Sequence, residues 1–350
     1  MEGTPMSDHR SGLTVGTTLP GLSRADIDRA ELRLATRVLR TPVIRSDQLD
    51  ALCGARLWLK AENLQRGGSF KVRGALLAVE ELAAAGSRGV VAQSTGNHAI
   101  AVALAARAHA LPTLIVLPSD APPAKVRRIR EAGAQVVFAG TTLAERVAAV
   151  ENLRELHGYD IVDPYENPHV VAGQGTATAE LLDQAAAEGV RLDTVVVPIG
   201  GGSALAGACL AASGRGAAVV GAEPEAVPAF TAALRAGEPV TVGAQHTIAD
   251  GLRPDRIGAL PFALASLVAE RVLTVSEEAI ADALRAALLR AQLLVEPAAA
   301  TALAGALEYA SGPGRGTDIG VLLSGGNVEP SLVSAVLADP ADLARRAVAS

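Results

Sequence analysis

The run Val195-Val196-Val197-Pro198-Ile199, followed at once by Gly200-Gly201-Gly202-Ser203-Ala204, constrains the fold more than any other stretch of this chain. An apolar, β-branched run without polar alternation is a strand buried on both faces, as in a parallel sheet. Three glycines then open a helix that starts near Ala204, so the segment reads strand–turn–helix. The same alternation recurs. Asp26–Arg40 reads as a helix, Arg56–Lys60 as a strand, Ala75–Ala85 as a helix, Gly89–Ala92 as a strand and Ala99–Ala110 as a helix. Thr113–Leu117, Pro123–Ala132, Gln135–Phe138 and Leu143–His157 continue it, with Pro122-Pro123 fitting a helix start and Gly133 a helix stop. Strands Thr194–Val197, Ala218–Glu223, Arg271–Val275 and Asp318–Leu323 form a second series with helices between. The pattern predicts an α/β chain whose parallel sheets are covered by helices on both faces. Residues 1–21 lack periodicity and read as a loose N-terminus.

Composition narrows the function classes. A chain of 350 residues has room for two domains with sizeable cores. A net charge of -6 without a long basic run argues against nucleic acid or anionic membrane as a partner. The chain is 49% hydrophobic, yet no apolar run approaches the ~18 residues of a membrane span. Gly, Pro, Ser and Asp interrupt the N-terminus, which is unlike a signal peptide, and the profile is that of a cytoplasmic enzyme. One tryptophan, three tyrosines and four phenylalanines are too few for a face that stacks single-stranded bases. Cys53 and Cys209 read as buried small residues. His9, His109, His157, His169 and His246 have no metal-ligand spacing and form no Ser/His/Asp grouping.

Gly68-Ser69-Phe70-Lys71-Val72-Arg73-Gly74-Ala75 places a lysine behind an aromatic ring at a helix start. The positive end of the helix and partial burial both lower a lysine pKa and favour the neutral, nucleophilic amine. Such amines form imines with carbonyl compounds, of which pyridoxal phosphate is the commonest in amino-acid chemistry. A surface lysine is the bland alternative, and three further segments weigh against it. Gly200–Gly202 suits a small dianion at a helix N-terminus, although a tight strand-to-helix turn explains the triplet as well. No Gly-Lys-Ser/Thr follows, and neither Gly200-Gly202 nor Gly173-Gln174-Gly175 continues into the dinucleotide fingerprint. Ser94-Thr95-Gly96-Asn97-His98 offers hydroxyls, an amide and free N–H groups as a carboxylate seat. Leu322-Leu323-Ser324-Gly325-Gly326-Asn327 ends a strand with a hydroxyl suited to a ring nitrogen.

In this order, SFKVRGA, STGNHA, AGQGT, VPIGGGS, TIADG, VEPAAATAL and SGGN resemble the fold-type II pyridoxal-phosphate enzymes, and within them the serine/threonine dehydratase and serine racemase family. The likeness runs from about Arg40 to about Val328. It implies a tryptophan synthase β-like fold of two parallel-sheet domains with the cofactor in the cleft between them. The large domain would comprise residues 22–83 and 161–345 and the small one 84–160, with no C-terminal regulatory domain. By resemblance, Lys71 is the Schiff-base lysine and general base, and Phe70 packs on the pyridine ring. Asn97 bonds the phenolic oxygen, Gly200, Gly201, Gly202, Ser203 and Ala204 hold the phosphate, and Ser324 meets the ring nitrogen. Ser203 replaces a fourth glycine of the family pattern but retains its N–H. Ser94, Thr95, Gly96 and Asn97 seat the substrate carboxylate. His98 either contacts substrate or makes a helix-start hydrogen bond. Glu296 and Asp250 line the site or cap helix starts. The implied reaction is dehydration and deamination of L-serine, L-threonine or a related 3-hydroxy amino acid, with racemisation or β-replacement as the alternative. A homodimer and a small-molecule amino-acid substrate are the implied partners.

Two departures from the pattern bear on mechanism. Many simple dehydratases have alanine at the Thr95 position, where serine racemases have serine as a second base. Threonine retains the hydroxyl and adds a methyl group. Arg146 falls where some relatives place a substrate-binding arginine, or is a solvated helix residue. Glu223-Pro224-Glu225 matches the start of a cation site, but Ala229 stands where an acidic ligand is needed, so no metal site is expected.

Overall fold

The computed structural model describes residues 21–243, 246–312 and 316–349. The loose N-terminus expected for residues 1–21 falls, apart from Gly21, outside them. Among the described residues ten strands are present: β1 (Val43–Ile44), β2 (Arg56–Ala61), β3 (Val90–Gln93), β4 (Thr113–Leu117), β5 (Gln135–Phe138), β6 (Asp160–Ile161), β7 (Thr194–Pro198), β8 (Ala218–Pro224), β9 (Arg271–Val275) and β10 (Asp318–Leu323). A six-stranded sheet has the order β1-β2-β10-β7-β8-β9 and a four-stranded sheet the order β5-β4-β3-β6. All pairings are parallel except β1 with β2. That antiparallel edge departs from the all-parallel expectation. Two residues are too few to leave a periodic trace in the sequence.

Side-chain alternation along β2 shows why the large sheet is covered on both faces. Leu57 and Leu59 enter one core with Val196, Val220, Leu273 and Ile319, roofed by the helices Glu277–Arg290 and Pro297–Ser311. Trp58 enters the other core with Val195, Val197 and Leu322, under the helices Arg24–Leu34, Lys71–Ala84, Pro168–Ala187 and Ser203–Ala212. β7 is buried throughout, as its unbroken apolar run requires.

The first helix stops at Leu34 and does not reach Arg40. Tertiary bonding takes the chain out of helix there: Leu39 N–H donates to Gln65 Oε1 at 2.9 Å, and Gln65 Nε2 donates to Leu39 O at 2.7 Å. Cys209 is buried, but Cys53 is only half-buried, at the end of an exposed short helix, which corrects the expectation of two buried cysteines.

Strand order positions the functional loops. β2, β10 and β7 are neighbours, so their carboxyl ends present the Lys71 loop, Ser324 and Gly200–Gly202 side by side. Ser69 and Gly325 form a β-bridge, Phe70 N–H donates to Ser324 O at 3.0 Å, and Gly326 N–H donates to Gly68 O at 2.9 Å. The lysine loop is thereby joined to the end of β10.

Candidate active site

Lys71 is the first residue of the helix Lys71–Ala84 and is half-buried. Its Nζ donates to Pro164 O at 3.2 Å and lies 5.4 Å from the centroid of the buried Phe70 ring. Burial pushes its pKa down to about 8, partly offset by the negative charges of Asp163 and Glu296. A neutral, nucleophilic lysine is therefore populated at mildly alkaline pH.

Gly202 precedes the helix Ser203–Ala212 with φ of 97°, a conformation open to glycine. Ala206 N–H donates to Gly202 O at 2.9 Å, leaving the N–H groups of the first turn, including Ser203 and Ala204, outside the helical ladder. Ser203 Oγ donates to Pro164 O at 3.5 Å, so one carbonyl meets both Lys71 and the start of this helix. A converging set of N–H donors beside a neutralisable lysine fits a phosphate-bearing carbonyl cofactor.

The wall from the four-stranded sheet is built from the residues after β3. Gly96 N–H donates to Ser94 Oγ at 3.2 Å, closing a turn around Thr95, and the helix Asn97–Ala108 begins directly afterwards. Asn97 Nδ2 donates to Glu296 Oε1 at 2.7 Å, while Asn97 Oδ1 accepts from Asn327 Nδ2 at 2.8 Å. This chain fixes the orientation of the Asn97 amide. His98 Nε2 bonds the Val162 carbonyl at 2.8 Å; since a carbonyl only accepts, Nε2 carries the proton. Burial and the Lys71 charge push His98 down to about 4, so it is neutral at physiological pH. His98, the second residue of the helix Asn97–Ala108, thus makes its hydrogen bond at the helix start, to the residue that follows β6.

Glu296 precedes the helix Pro297–Ser311 but makes no side-chain cap bond. Burial raises it to about 7, against the lowering effect of the Asn97 hydrogen bond. Asp250 is exposed and accepts from Lys125 Nζ at 2.6 Å, an ion pair that joins the 246–250 loop to the helix Pro123–Glu131. Ser324 is buried at the end of β10. Arg146 is not drawn into this constellation: its Nη1 donates to Thr141 O at 3.0 Å beside its own helix, Leu143–His157. Glu223, which matches only the start of a cation pattern, accepts from Phe230 N–H and Thr231 N–H, both at 2.9 Å, and so caps the helix Ala229–Ala236.

Several residues that shape the site were assigned no role from the sequence. Arg73 and Lys60 are fully buried, with Glu62 and Glu180 as counter-charges. Arg73 donates to Glu62 through Nε and Nη2 at 2.8 Å each, and to Glu180 at 2.8 and 3.0 Å. Lys60 Nζ donates to Glu180 at 2.6 Å, and to Thr41 O and Gln184 Oε1 at 2.8 Å each. This neutral interior cluster holds the first turn of the lysine helix. The AGQGT glycines act through backbone contact. A Cβ on Gly173 would lie 2.6 Å from Gly74 Cα, and one on Gly175 would lie 2.7 Å from Gly207 O. In the sequence these glycines carried part of the family likeness but no stated role.

A lysine at the carboxyl ends of parallel strands, facing a glycine-opened helix, defines the class of fold-type II pyridoxal-phosphate enzymes. The chain belongs to the pyridoxal-phosphate dependent enzyme family, which matches residues 34–325. L-threo-3-hydroxyaspartate ammonia-lyase from Saccharomyces cerevisiae is 38% identical over 307 residues, covering 87% of this chain and 93% of that protein. The crystal structure of a T.th. threonine deaminase superposes with a TM-score of 0.83 at 40% identity, covering 88% of this chain and 99% of that one. Serine racemase from Dictyostelium discoideum gives a TM-score of 0.80 at 35% identity, covering 88% and 99%. Pyridoxal phosphate is the cofactor. No helix among the described residues is long and apolar enough to cross a membrane.

Proposed function

We propose that this enzyme removes water and then ammonia from L-threonine, L-serine or a related 3-hydroxy amino acid, giving a 2-oxo acid. The observation that carries the reading is the Lys71 amine, lowered to about 8 and 3.2 Å from Pro164 O, beside Ser203 and the glycine loop. The related ammonia-lyases support it.

Bound pyridoxal phosphate supplies an electrophilic carbon for the amino group and a conjugated ring that accepts the electron pair from Cα. The chain's residues do the rest. Phe70 would pack beside the ring, and the N–H groups from Gly200 to Ala204 would hold the phosphate. Asn97, fixed by Glu296 and Asn327, would bond the phenolic oxygen. Ser324, a neutral hydroxyl, would bond the ring nitrogen without favouring its protonation as a carboxylate would, which would favour early departure of the β-hydroxyl. Ser94, Thr95, Gly96 and Asn97 seat the substrate carboxylate at the start of their helix. Lys71 takes the proton from Cα as general base, the β C–O bond breaks with its electron pair passing to the leaving oxygen, and that oxygen departs as water with a proton that the cofactor phosphate would supply. The released enamine hydrolyses to oxo acid and ammonia.

Within the same reading Asp250 sits at the rim of the cleft, His98 serves as a neutral wall, and Arg146 reaches substrate only after leaving Thr141. Residues 22–83 with 161–345 form the large domain and 84–160 the small one. Sheet membership supports this to within one residue: β3, β4, β5 and β6 belong to the four-stranded sheet, with Ile161 of β6 paired to Val91 just past the boundary, and β1, β2 and β7 to β10 belong to the other. A cytoplasmic homodimer acting on a free amino acid completes it, on family resemblance.

Racemisation is the second reading, favoured by the Thr95 hydroxyl, which stands where the resemblance to serine racemases puts a second base, and by the serine racemase relatives. The test is L-serine and L-threonine in D₂O, following oxo acid, inverted amino acid and deuterium in recovered substrate. Oxo acid is expected to form faster. Each 1.4 kcal/mol of added barrier is about tenfold in rate, so a small displacement of the threonine hydroxyl is enough to suppress inversion. Inverted amino acid forming faster than oxo acid would make the protein a racemase.

A further inference from the structure

The turn Asp163-Pro164-Tyr165-Glu166 lies outside every motif that carries the family likeness, yet it touches both halves of the cofactor site. Pro164 O accepts from Lys71 Nζ at 3.2 Å and from Ser203 Oγ at 3.5 Å. Tyr165 is packed against the glycine loop from one side: a Cβ on Gly201 would overlap its ring, and one on Gly258 would lie 2.9 Å from its Cδ2. Gly258 N–H donates to Gly201 O at 3.2 Å, so the ring sits between two glycines that are bonded to each other. The neighbouring glycines are backed too: a Cβ on Gly200 would lie 3.1 Å from Gly251 O, and one on Gly202 would meet Ile257 and Pro261.

The turn is itself tied down. Asp163 Oδ1 accepts from Tyr165 N–H at 2.8 Å and Glu166 N–H at 2.6 Å. Glu166 accepts from Ala259 N–H at 2.6 Å and Leu260 N–H at 3.0 Å, at the start of the helix Ala259–Ala265. Val162 O bonds His98 at 2.8 Å. Three glycines in sequence are costly to order, and a rigid aromatic wall offsets that cost before any ligand arrives.

We propose that Tyr165 is a positioning residue for the cofactor phosphate: its ring holds Gly200–Gly202 in receiving shape, and its turn places the Pro164 carbonyl that restrains Lys71 beside that loop. The inference rests on the assignment of Lys71 and the glycine loop to pyridoxal phosphate. It differs from that assignment in asking what shapes the seat, not what fills it.

The experiment titrates apoenzyme with pyridoxal phosphate, followed by absorbance, with borohydride reduction and peptide mapping to locate the adduct. Melting temperature is measured in parallel. Tyr165→Phe should bind as wild type does, because the ring is retained. Tyr165→Ala should bind at least about tenfold more weakly, with the reduced adduct still on Lys71 at saturating cofactor. Gly201→Ala should also weaken binding, and Tyr165→Ala/Gly201→Ala should lose much less than the two single losses combined, since removing the ring makes room for the added methyl. That non-additivity reads the contact even if Tyr165→Ala folds less well. Binding by Tyr165→Ala within twofold of wild type, Tyr165→Phe losing as much as Tyr165→Ala, or strict additivity in the double variant would each overturn the proposal. An adduct mapping away from Lys71 in the wild type would instead defeat the underlying assignment.

Discussion

Replacing Arg73 with methionine retains most of the side-chain bulk and removes the guanidinium from a fully buried site. In the native protein Lys60 and Arg73 balance Glu62 and Glu180, and the paired hydrogen bonds of Arg73 fill both oxygens of Glu62. Arg73→Met leaves one uncompensated carboxylate in the interior. Breaking a buried pair in that way costs about 3–5 kcal/mol, against a total stability of roughly 5–15 kcal/mol. At about 2 °C per kcal/mol for a chain of this size, melting should fall by about 6–10 °C. Arg73→Met/Glu62→Gln restores neutrality and should recover about half of the loss, because the glutamine carbonyl still accepts from Thr41 Oγ1, now bonded to Glu62 at 2.5 Å. The pH dependence gives a further check. Burial pushes Glu62 up, but Arg73 and Lys60 outweigh it and hold the carboxyl below its ordinary value. In the wild type that stabilisation is present above the unfolded carboxylate pKa and is lost as pH falls through the folded one. Without Arg73 the buried Glu62 sits above its ordinary value and is relieved by protonation, so the deficit of the variant should shrink as pH falls. Calorimetry or circular dichroism melts across a pH series measure both effects. Melting of Arg73→Met within about 1 °C of wild type, or a double variant no better than the summed single losses, would refute the account.

Lys71→Ala should abolish both the visible absorbance of the cofactor-bound protein and turnover; a borohydride-reducible adduct that persists would show that another lysine holds the cofactor. The rate of cofactor capture by wild-type apoenzyme should rise with pH and level off above about 8, and a midpoint at the ordinary lysine value of 10.5 would contradict the burial argument. Treatment with a chelator should reduce turnover little, because both Glu223 oxygens already accept backbone N–H groups; collapse with full recovery on adding Mg²⁺ or Ca²⁺ would reveal other ligands. Glu296→Gln should remove a decline in wild-type stability as pH rises from about 4.5 to about 7, on the order of 3 kcal/mol, since burial makes the folded carboxyl hold its proton longer than the unfolded one. Parallel stability curves for the two proteins would count against that role.

Legibility in the sequence followed the range over which each signal acts. β4, β5, β9 and β10 were bounded correctly because each is a continuous apolar or β-branched run closed by turn residues. β1 and β6 have two residues each and exist only through their partners. The end of the first helix was misplaced because Gln65, distant in sequence, captures the Leu39 backbone. In the site, the sequence offered residues that are chemistry in themselves, Lys71 and the glycines from their own motifs and Asn97 and Glu296 through the family likeness. The bonds of Asn327 Nδ2 to Gly67 O at 2.7 Å and to Asn97, and the part played by the Pro164 carbonyl, were not foreseen, although Asn327 closes the SGGN motif, because these groups act by position alone. Arg73 was visible as a letter of a motif. Its charge partners Lys60, Glu62 and Glu180 come from β2, the turn after it and the helix Pro168–Ala187, and nothing local announces that four charges share one interior.

The helix Pro168–Ala187 shows how the two demands of the site are met by one element. Its Gly173 rests on Gly74, one turn beyond Lys71, and its Gly175 rests on Gly207, one turn beyond Ser203. The lysine helix and the phosphate-loop helix are therefore each set at backbone contact from a common spacer. A side chain at either interface has several rotamers through which to yield, whereas backbone against backbone has none, so separation errors of a few tenths of an ångström are suppressed. Reaction geometry is sensitive at that scale, since misplacement by about 1 Å is worth about a hundredfold in rate. The spacer also carries Glu180 and Thr176, whose bonds to Arg73 fix rotation of the lysine helix about its axis while the glycines fix its distance. Distance by glycine contact and rotation by a neutral ion cluster together aim Lys71 at the cleft without either group touching the ligand.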